Sequence, residues 1–465
     1  MIEFINQLND VLWGYIIIVA LVGCGLWFTW RTRFVQFRMV GEMLRLLTDS
    51  SVRSQDNEKH ISSFQAFAVS LASRVGTGNL AGVATAIAVG GPGAVLWMWV
   101  TALVGSATAF VECTLGQLFK RHHKESFIGG PAYYIERGLH SRWMAALFAV
   151  LLTMSFGLAN NSVQSNTICG ALEGAFGWNH AVVGAALAVL TLAIVFGGIQ
   201  RIARVSSVLV PIMAVGYFVL AIVIIVMNIE HIPHVFRVIF ESAFGINQAV
   251  GGVVGAAIMC GVKRGLFSNE AGEGSAPNAA ATAAVSHPVK QGLIQALGVF
   301  TDTLVICSCT AFIILISGVY DNPELNGITL TQTALQSEVG TWGPVFVAVA
   351  IFLFAFSSVI GNYYYGEANV RFITHRPWVL TVYRIFSGGV MVIFGALVSL
   401  DTVWSIIDLC MALTTACNLV AIILLGKYAF RLLDDYRQQK RQGVKSPVFR
   451  RSQLPEIAQQ LEGWE

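Results

Sequence analysis

The stretch FQAFAVSLASRVGTGNLAGVATAIAVGGPG, from Phe64 to Gly93, decides how the rest of the sequence is interpreted. It is long and apolar enough to cross a bilayer, which takes about 20 apolar residues. Its centre carries Arg74 and then Gly76-Thr77-Gly78-Asn79. Because glycine destabilises a helix interior and unpaired backbone groups are costly in hydrocarbon, two structures remain possible. One is a discontinuous helix lining a small-solute site, and the other is a glycine-rich helix packed tightly against its neighbours.

The composition places the whole chain in a membrane. Of 465 residues, 55% are hydrophobic and only 12% are charged, whereas soluble proteins average about 25% charged residues. The sequence therefore predicts an all-α polytopic membrane protein in contact with lipid, with no nucleic acid among its partners. The eight cysteines are scattered and form no metal-ligand pattern, so we expect no cofactor.

Eleven apolar runs are long enough to span the membrane. They lie at about residues 12–30, 64–90, 93–119, 143–169, 180–198, 206–228, 248–275, 291–318, 342–369, 380–399 and 402–427. Lysines and arginines concentrate in every second loop and in the tail, which predicts an external N-terminus and a cytoplasmic C-terminus. Glu3 and Asp10 near the start, without a basic residue, are not typical of a cleaved signal peptide.

These runs suggest five segments. Residues 1–63 form an N-terminal transmembrane helix and a linker, 64–228 a first repeat, 229–247 an external amphipathic helix, 248–427 a second repeat and 428–465 a solvated cytoplasmic tail. The external helix is expected because Ile232 to Phe244 mixes apolar and charged residues at helical spacing.

A second stretch follows the pattern of the first. AVGGVVGAAIMCGVKRGLFSNEAGEGSAPNAA, starting at Ala249, is small and apolar until Gly261 and then carries Lys263, Arg264, Glu270 and Glu273. We expect a second interrupted span, broken near Gly261, although a cytoplasmic loop after a short span would give the same letters. With the opening helix set aside, ten spans form a 5+5 inverted repeat in which the first helix of each half is discontinuous, an arrangement typical of transporters.

The two predicted breaks suit a zwitterion. Asn79 is a good cap for the helix that follows it, and the amides near Thr77, Gly78 and Asn79 would attract a carboxylate. The carbonyls at 72–75 and 258–261, left unpaired where the half-helices end, would suit an ammonium group or Na⁺. An amino acid carries both of these groups.

The same residues resemble a known family. GTGNLAGVATAIAVGGPGAVLWMW (76–99), GLFSNEAGEGSAPNAAA (265–281) and FAFSSVIGNYYYGE (354–367) are similar to signatures of the alanine or glycine:cation symporters. The resemblance covers nearly the whole chain. It implies the leucine-transporter-type fold and sodium-coupled uptake of small neutral amino acids, chiefly alanine and glycine.

The resemblance also suggests which residues bind. Its substrate-binding positions correspond to Thr77 and Gly78 at the first break, Gln164 in FGLANNSVQSN, and Phe267, Ser268 and Asn269. To these we add Asn79, beside the first break, and Asn362, where this sequence departs from the family pattern. Its sodium site corresponds to Ser357 and Ser358 with the carbonyls of Ala72 and Val75. Many relatives carry a tryptophan near Asn362, so the smaller polar side chain here leaves strict alanine and glycine selectivity open.

Several charged residues inside the spans are further candidates, because buried charges in membranes are costly and often functional. Arg74 is predicted to pair as part of an inner gate. Glu270 could be a gate partner, a site residue or a cap for the half-helix that follows, and a site-adjacent structural role is the preferred interpretation. Asp302 with Thr301 or Thr303 could form a second cation site or be a hydrogen-bonded structural acid. Glu112 and Asp408 are weaker candidates of the same kind. Ser357 and Ser358 could also simply bond to carbonyls of their own helix.

Together these features predict a secondary active symporter of the inner membrane that works as a monomer with Na⁺ as coupling ion. The main alternative is a proton-coupled carrier that uses Asp302 or Glu270. A channel is a less favoured alternative. No hydrolase or metalloprotease motif is present in the sequence, so an enzyme is not expected.

Overall fold

The structure is a computed structural model that describes residues 2–48, 61–123, 126–245 and 251–464. Helices make up most of it, and the sheet within these ranges is a small hairpin of β1 (Arg121–His123) and β2 (Ser126–Ile128). The first half of the chain forms α1 (Ile2–Arg31), α2 (Val35–Arg38), α3 (Val40–Leu47), α4 (Ser63–Arg74), α5 (Gly78–Gly90), α6 (Ala94–Leu118), α7 (Pro131–Gly138), α8 (Arg142–Phe176), α9 (His180–Val195) and α10 (Gly198–Met227).

The second half continues in the same way. It forms α11 (Ile232–Phe244), α12 (Gly251–Asn269), α13 (Ala276–Ala280), α14 (Pro288–Ser317), α15 (Gly327–Val339), α16 (Gly343–Ile373), α17 (Pro377–Leu397) and α18 (Leu400–Arg441). Short 3₁₀ turns lie at Ile229–His231, Val319–Asp321, Arg451–Gln453 and Ala458–Gln460.

Eight of the described helices are long and apolar enough to cross a membrane. They are α1, α6, α8, α10, α14, α16, α17 and α18. This confirms a helical multi-pass protein. The count of eleven spans and the inverted repeat stay predictions, since α5 and α9 are shorter apolar helices.

The first predicted break is present at residues 75–77, between α4 and α5. Helix α4 begins with a capping box, in which the Ser62 hydroxyl accepts the Gln65 amide and the Gln65 side chain accepts the Ser62 amide. It ends at Arg74, and the backbone of the next residue, Val75, is extended at φ −78° and ψ 91°. We call residues 75–77 the first break.

The second break lies further along the chain than predicted. Helix α12 continues through Gly261 to Asn269, and the chain leaves helical geometry at residues 270–275, which we call the second break. Gly261 serves close packing instead, because a Cβ there would lie 2.4 Å from the Ala94 carbonyl oxygen and 2.6 Å from Trp97 Cβ. This is the role of small residues between membrane helices.

Most residues after α18 are exposed, as in the solvated tail that the sequence suggested, but a few of them anchor the segment to the helices. The Phe449 amide donates to the Ser286 carbonyl at 2.8 Å, and the Trp464 indole donates to the carbonyls of Gln117 and Leu118. Trp464 also packs on an apolar cluster formed by Ile61, Ala66, Ala283 and Val285. Apolar residues in a polar tail therefore fasten it to the ends of α4, α6 and α14.

His287 joins this tail to the start of α14. Its Nδ1 accepts the Val289 amide at 3.2 Å, and its Nε2 lies 3.1 Å from Asp435 Oδ2. Burial lowers the pKa of His287, although Asp435 acts in the opposite direction. The neutral ring, with its proton on Nε2, thus satisfies both contacts.

The predicted amphipathic helix is present as α11. Val235, Ile239 and Ala243 are buried on one face, and Phe236, Phe240 and Phe244 are exposed on the other. The 3.6-residue period of its apolar positions accounts for the buried stripe.

Candidate functional site between two helix breaks

The first break is held open by side chains and not by its own helix. Asn79 does not cap α5 as predicted, because that helix already begins at Gly78. Its Oδ1 instead accepts the Gly76 amide at 2.8 Å, across the break. The Thr77 hydroxyl is fully buried and has no hydrogen-bond partner among the described residues. An unpaired buried hydroxyl costs about 1–3 kcal/mol, so this position is suited to a polar ligand.

Gln164 of α8 faces the first break, as the family resemblance suggested. Its Oε1 accepts the Thr77 amide at 2.9 Å, and its Nε2 donates to Asn160 Oδ1 at 2.8 Å. A Cβ at Gly76 would lie 2.7 Å from this Oε1. The amide oxygen of Gln164 therefore occupies the place beside the Thr77 amide that a carboxylate oxygen of a ligand would take.

The four residues proposed for sodium lie together. Ser358 Oγ is 2.9 Å from the Ala72 carbonyl and 3.3 Å from that of Val75, and Ser357 Oγ is 3.4 Å from the Ala72 carbonyl. Both hydroxyls also contact the Phe354 carbonyl of their own helix, at 2.8 and 3.1 Å. The alternative considered from the sequence, in which the two serines bond to carbonyls of their own helix, is therefore also observed. Hydroxyl and carbonyl oxygens converging on one point are ligands that hard cations prefer.

Asp302 connects the two halves of the site. It lies in a π-helical segment of α14, Phe300–Cys307, a distortion that is frequent at functional sites. Its Oδ1 accepts from Asn79 at 2.7 Å, and its Oδ2 accepts from Ser268 and Thr303 at 2.8 and 2.9 Å. Every oxygen of this buried carboxylate is paired.

Thr301 is not part of the Asp302 cluster. Its hydroxyl donates to the Leu297 carbonyl of its own helix at 3.1 Å. Thr303, two residues on, is fully buried and contacts both Asp302 and Asn269. Of the two threonines considered from the sequence, the structure brings the second one to the acid.

Phe267 and Asn269 flank Ser268 at the end of α12. The Phe267 ring lies against the first break, where a Cβ at Gly78 would be 3.1 Å from its Cδ1. The Asn269 Oδ1 accepts the Ala271 amide at 3.0 Å, which satisfies one backbone group freed by the second break. The residues predicted from the motif GLFSNE therefore lie at the first break, at the second, or between the two.

Glu270 opens the second break in a strained conformation. Its φ is +58°, a left-handed value that a non-glycine residue rarely adopts. Its carboxylate accepts from Ser73 at 2.6 Å and from Ser275 at 2.5 Å. Ser73 in turn lies 2.6 Å from Asn362 Oδ1 of α16. Strain that is held by hydrogen bonds on both sides is typical of functional segments.

Arg74 forms no ion pair in this structure with Glu270, which was considered as a gate partner. Arg74 is 2% exposed, and its Nη1 donates to the Gln295 carbonyl at 3.1 Å. Its Nε and Nη2 have no hydrogen-bond partner among the described residues. Gly298 leaves space for the guanidinium, since a Cβ there would lie 2.4 Å from Nη1. Arg74 attracts Glu112, Glu270 and Asp302 electrostatically without touching them.

The structure also contains a charge cluster that the sequence reasoning did not recognise. Asp408 of α18 accepts two bonds from Arg264, at 2.7 and 2.9 Å, and one from Lys263 at 3.2 Å. The Arg264 guanidinium lies 4.0 Å from the Trp404 ring centre, and Trp404 packs against Phe267 at 4.8 Å. The available signal was an acid in one apolar span and two bases in another.

The first helix holds this cluster in place. The Trp13 indole donates to the Asp408 carbonyl at 3.1 Å, and Asn9 donates to the Ser405 carbonyl at 2.9 Å. A buried ion pair is strongly destabilised when one partner is lost. The arrangement therefore forms an ordered layer that meets Phe267 through Trp404.

Glu112 braces the second break from α6. Its Oε1 accepts the Gly272 amide at 3.1 Å, and its Oε2 accepts from Asn418 at 2.9 Å. Asn418 also donates to the Gly272 carbonyl at 2.9 Å. This is the structural role of a hydrogen-bonded acid, and it explains how a non-helical segment persists in a buried place.

The geometry suits binding and release of a small polar solute. It combines amides and an amide side chain at the first break, a set of hydroxyl and carbonyl oxygens one turn away, and a paired acid that joins both breaks. Carboxylate and ammonium groups would each find partners here.

Comparison with known proteins shows the family to which the chain belongs. The family model described as the sodium:alanine symporter family matches residues 1–451. The amino-acid carrier protein AlsT of Bacillus subtilis is 52% identical over 100% of this chain and 97% of that protein. The probable sodium/glutamine symporter GlnT of the same organism is 53% identical over 95% and 91%. The sodium/alanine symporter AgcS of Methanococcus maripaludis is 38% identical over 91% and 95%.

The fold has a solved counterpart. MhsT, crystallised in complex with L-phenylalanine, matches 82% of this chain and 99% of its own with a TM-score of 0.55 at 13% identity. This likeness concerns the fold alone, and it confirms the leucine-transporter-type architecture expected from the resemblance. The family consists of transporters, so the expectation that the chain is not an enzyme is confirmed as well. The chain is a member of the sodium:alanine symporter family and a secondary active amino acid transporter of multi-pass membrane type.

Proposed function

We propose that the protein imports small neutral amino acids, alanine and glycine among them, in symport with Na⁺. The observation that carries this proposal is the meeting of Ser357 and Ser358 with the carbonyls of Ala72 and Val75 at 2.9 to 3.4 Å. A cation bound there would hold the first break in the shape that the substrate requires. By linkage, the substrate would raise the affinity for the cation by the same factor.

The amino acid would bind on the other side of the first break. Its carboxylate would replace Gln164 Oε1 beside the Thr77 and Gly78 amides, and the Gln164 side chain would turn its Nε2 toward the ligand. The helix that begins there adds a favourable dipole. Phe267, Ser268 and Asn269 would cover the ligand from α12. Asp302 and Thr303, with Asn79, would offer oxygens to a second cation.

Access would alternate between two ends of the site. The layer of Arg264, Lys263 and Asp408 would open toward the outside, and separation of α4 from its neighbours would open the site to the cytoplasm. Arg74, with two donors still unpaired, would pair with Glu270 in that second movement. We place the protein in the inner membrane as a functional monomer, with its N-terminus outside and its C-terminus in the cytoplasm.

The names of the relatives indicate the same class of transporter but different transported amino acids. AgcS is named for alanine and GlnT for glutamine, and both names include sodium. Both of these cargoes are neutral amino acids, which fits a site whose acid, Asp302, has both oxygens paired by neighbouring side chains. We therefore propose a neutral amino acid as the general substrate.

The test is uptake by the purified protein in proteoliposomes. An inward Na⁺ gradient should drive accumulation of alanine and glycine, and K⁺ with an inward proton gradient should not. Accumulation driven by the proton gradient alone would replace Na⁺ by H⁺ and make Asp302 or Glu270 the titrating group. Flux that only follows the substrate gradient, without saturation, would instead indicate a channel.

A further inference from the structure

Asn362 stands next to the proposed substrate site. It follows Ser358 by four residues on α16, and residues at this spacing lie on one helix face. Ser358 contacts the Ala72 carbonyl, and a Cβ at Gly76 would lie 2.2 Å from its Oγ. Asn362 continues this face toward Ser73, the residue before Arg74.

The hydrogen bonds of Asn362 are incomplete. Its side chain is fully buried, its Oδ1 lies 2.6 Å from Ser73 Oγ, and its Nδ2 has no partner among the described residues. Ser73 also lies 2.6 Å from Glu270 Oε1, and one hydroxyl proton cannot serve both acceptors.

A half-turn of the Asn362 carboxamide removes this conflict. Nδ2 would then donate to Ser73, and Ser73 would donate to Glu270. The carboxamide oxygen would become the unpaired atom in place of Nδ2, since such orientations are assigned from the network. In either orientation, one polar atom of the buried Asn362 carboxamide has no hydrogen-bond partner among the described residues. A side chain that both donates and accepts satisfies either case.

The contacts of Asn362 are polar. Ser73, near the end of α4, contacts its carboxamide, and Ser73 also contacts Glu270 of the second break. A methyl group placed here would leave the Asn362 amide unpaired. A site with unpaired buried polar groups discriminates against ligands that cannot satisfy them.

We propose that Asn362 determines specificity by reading a side-chain carboxamide, so that the preferred cargo is a neutral amino acid with such a group, glutamine or asparagine. This inference rests on the proposed sodium symport and names the substrate class of the same site. The ligand amide would form two hydrogen bonds in place of the missing one, with Asn362 and with the Ser73–Glu270 pair. Alanine would bind through its carboxylate and ammonium groups alone.

The test uses the full-length protein in proteoliposomes with an inward Na⁺ gradient. The ratio of the uptake efficiency for glutamine or asparagine to that for alanine should be about 10 to 100, the range expected for one unpaired buried polar group. Asn362→Leu should lower that ratio about tenfold or more. Asn228→Leu is the matched control: it removes an amide that contacts Glu338 at 2.8 Å far along the chain from the breaks, and it should leave the ratio unchanged.

A measurement on the unaltered protein covers the case in which Asn362→Leu does not fold. Glutamine should displace labelled alanine from the protein in the presence of Na⁺ at a concentration about tenfold or more lower than norleucine requires. Norleucine has a side chain of similar length and no amide. Equal competition by both, or an unchanged ratio in a folded Asn362→Leu protein, would overturn the inference while Na⁺-driven alanine uptake leaves the symport standing. Absence of Na⁺-driven uptake for all of these amino acids would overturn both.

Discussion

At the scale of single residues, the serine pair of α16 is where cation coupling should be most sensitive. Ser357→Ala with Ser358→Ala removes both hydroxyls from the Ala72 and Val75 carbonyls. Each lost bond costs about 1 kcal/mol of stability, so the protein should still fold. The Na⁺ concentration for half-maximal uptake should rise about tenfold or more. Unchanged Na⁺ activation in this variant would remove the proposed cation site.

Gly76 is the residue whose smallest change should harm the site most. A Cβ there would lie 2.2 Å from Ser358 Oγ and 2.7 Å from Gln164 Oε1, so both side chains must shift. Overpacking of this kind costs about 1–3 kcal/mol. Gly76→Ala should lower substrate affinity at least tenfold in a binding assay. Gly216→Ala, where nothing lies within 4 Å, is the control that should bind as the unaltered protein does.

The sequence predicted these residues because their chemistry is local. Gly76 and Thr77 interrupt an apolar span. Arg74 has to pair or reach the membrane interface, because lipid offers a charged side chain no partner. The partners were harder to predict. These contacts depend on which helices lie side by side. Asn79 bonds back to Gly76, Thr303 and not Thr301 contacts Asp302, and Arg74 contacts Gln295.

At the scale of elements, the second break shows why glycine alone is an ambiguous signal. Gly261 was expected to end α12, yet it lets α6 approach closely, and the helix ends at Asn269 where Glu270, Gly272 and Gly274 adopt positive φ. A run of left-handed residues and a packing glycine look alike in sequence. The two are distinguished only when the neighbouring helix is known.

The tail after α18 is an element with a predictable pH dependence. Since burial lowers the pKa of His287 below its ordinary 6.5, the unfolded chain takes up the proton first as the pH falls. Stability from this contact is full above about pH 6.5 and decreases below it, because a proton on Nδ1 displaces the Val289 amide. Thermal unfolding should thus shift to lower temperature between about pH 6.5 and 5.

A variant separates this effect from general acid sensitivity. His287→Gln keeps an acceptor and a donor but does not titrate, so its unfolding temperature should vary less over the same pH range. An identical pH profile in both proteins would contradict the assignment.

At the scale of the whole molecule, the paired charges over Phe267 should set which side of the site is open. Asp408→Asn leaves Arg264 and Lys263 without their buried acid, and loss of one partner in such a cluster costs about 3–5 kcal/mol. We expect the population to shift toward the outward-open form. Cys307, whose sulfur lies 3.1 Å from Ser268 Oγ, should then react faster with an impermeant thiol reagent added outside.

The labelling experiment needs a protein whose other cysteines are replaced. Reaction at Cys307 should be suppressed again by saturating Na⁺ and substrate, because these close the site. Equal labelling rates in the two proteins would mean that the Asp408 cluster is a structural brace and not a gate.

The architecture as a whole was largely predictable, whereas the position of the second helix break and the contacts of the tail were not. Charge distribution and apolar length suffice to indicate a many-spanning helical protein, and long motifs identify its family. The anchoring of the tail was not predicted, because Phe449 and Trp464 are isolated apolar residues in a polar segment. Their contacts depend on the surface formed by Ile61, Ala283 and Val285.

The space that Gly298 leaves for Arg74 also restricts the order in which this lineage can change. A Cβ at 298 would lie 2.4 Å from the guanidinium Nη1, so any side chain there forces Arg74 to turn away from the Gln295 carbonyl that it now contacts. Loss of the arginine first leaves three neighbouring acids without their shared counter-charge. Neither single step is neutral. The two positions are therefore expected to be inherited together, and ancestral reconstruction should find them altered on the same branches.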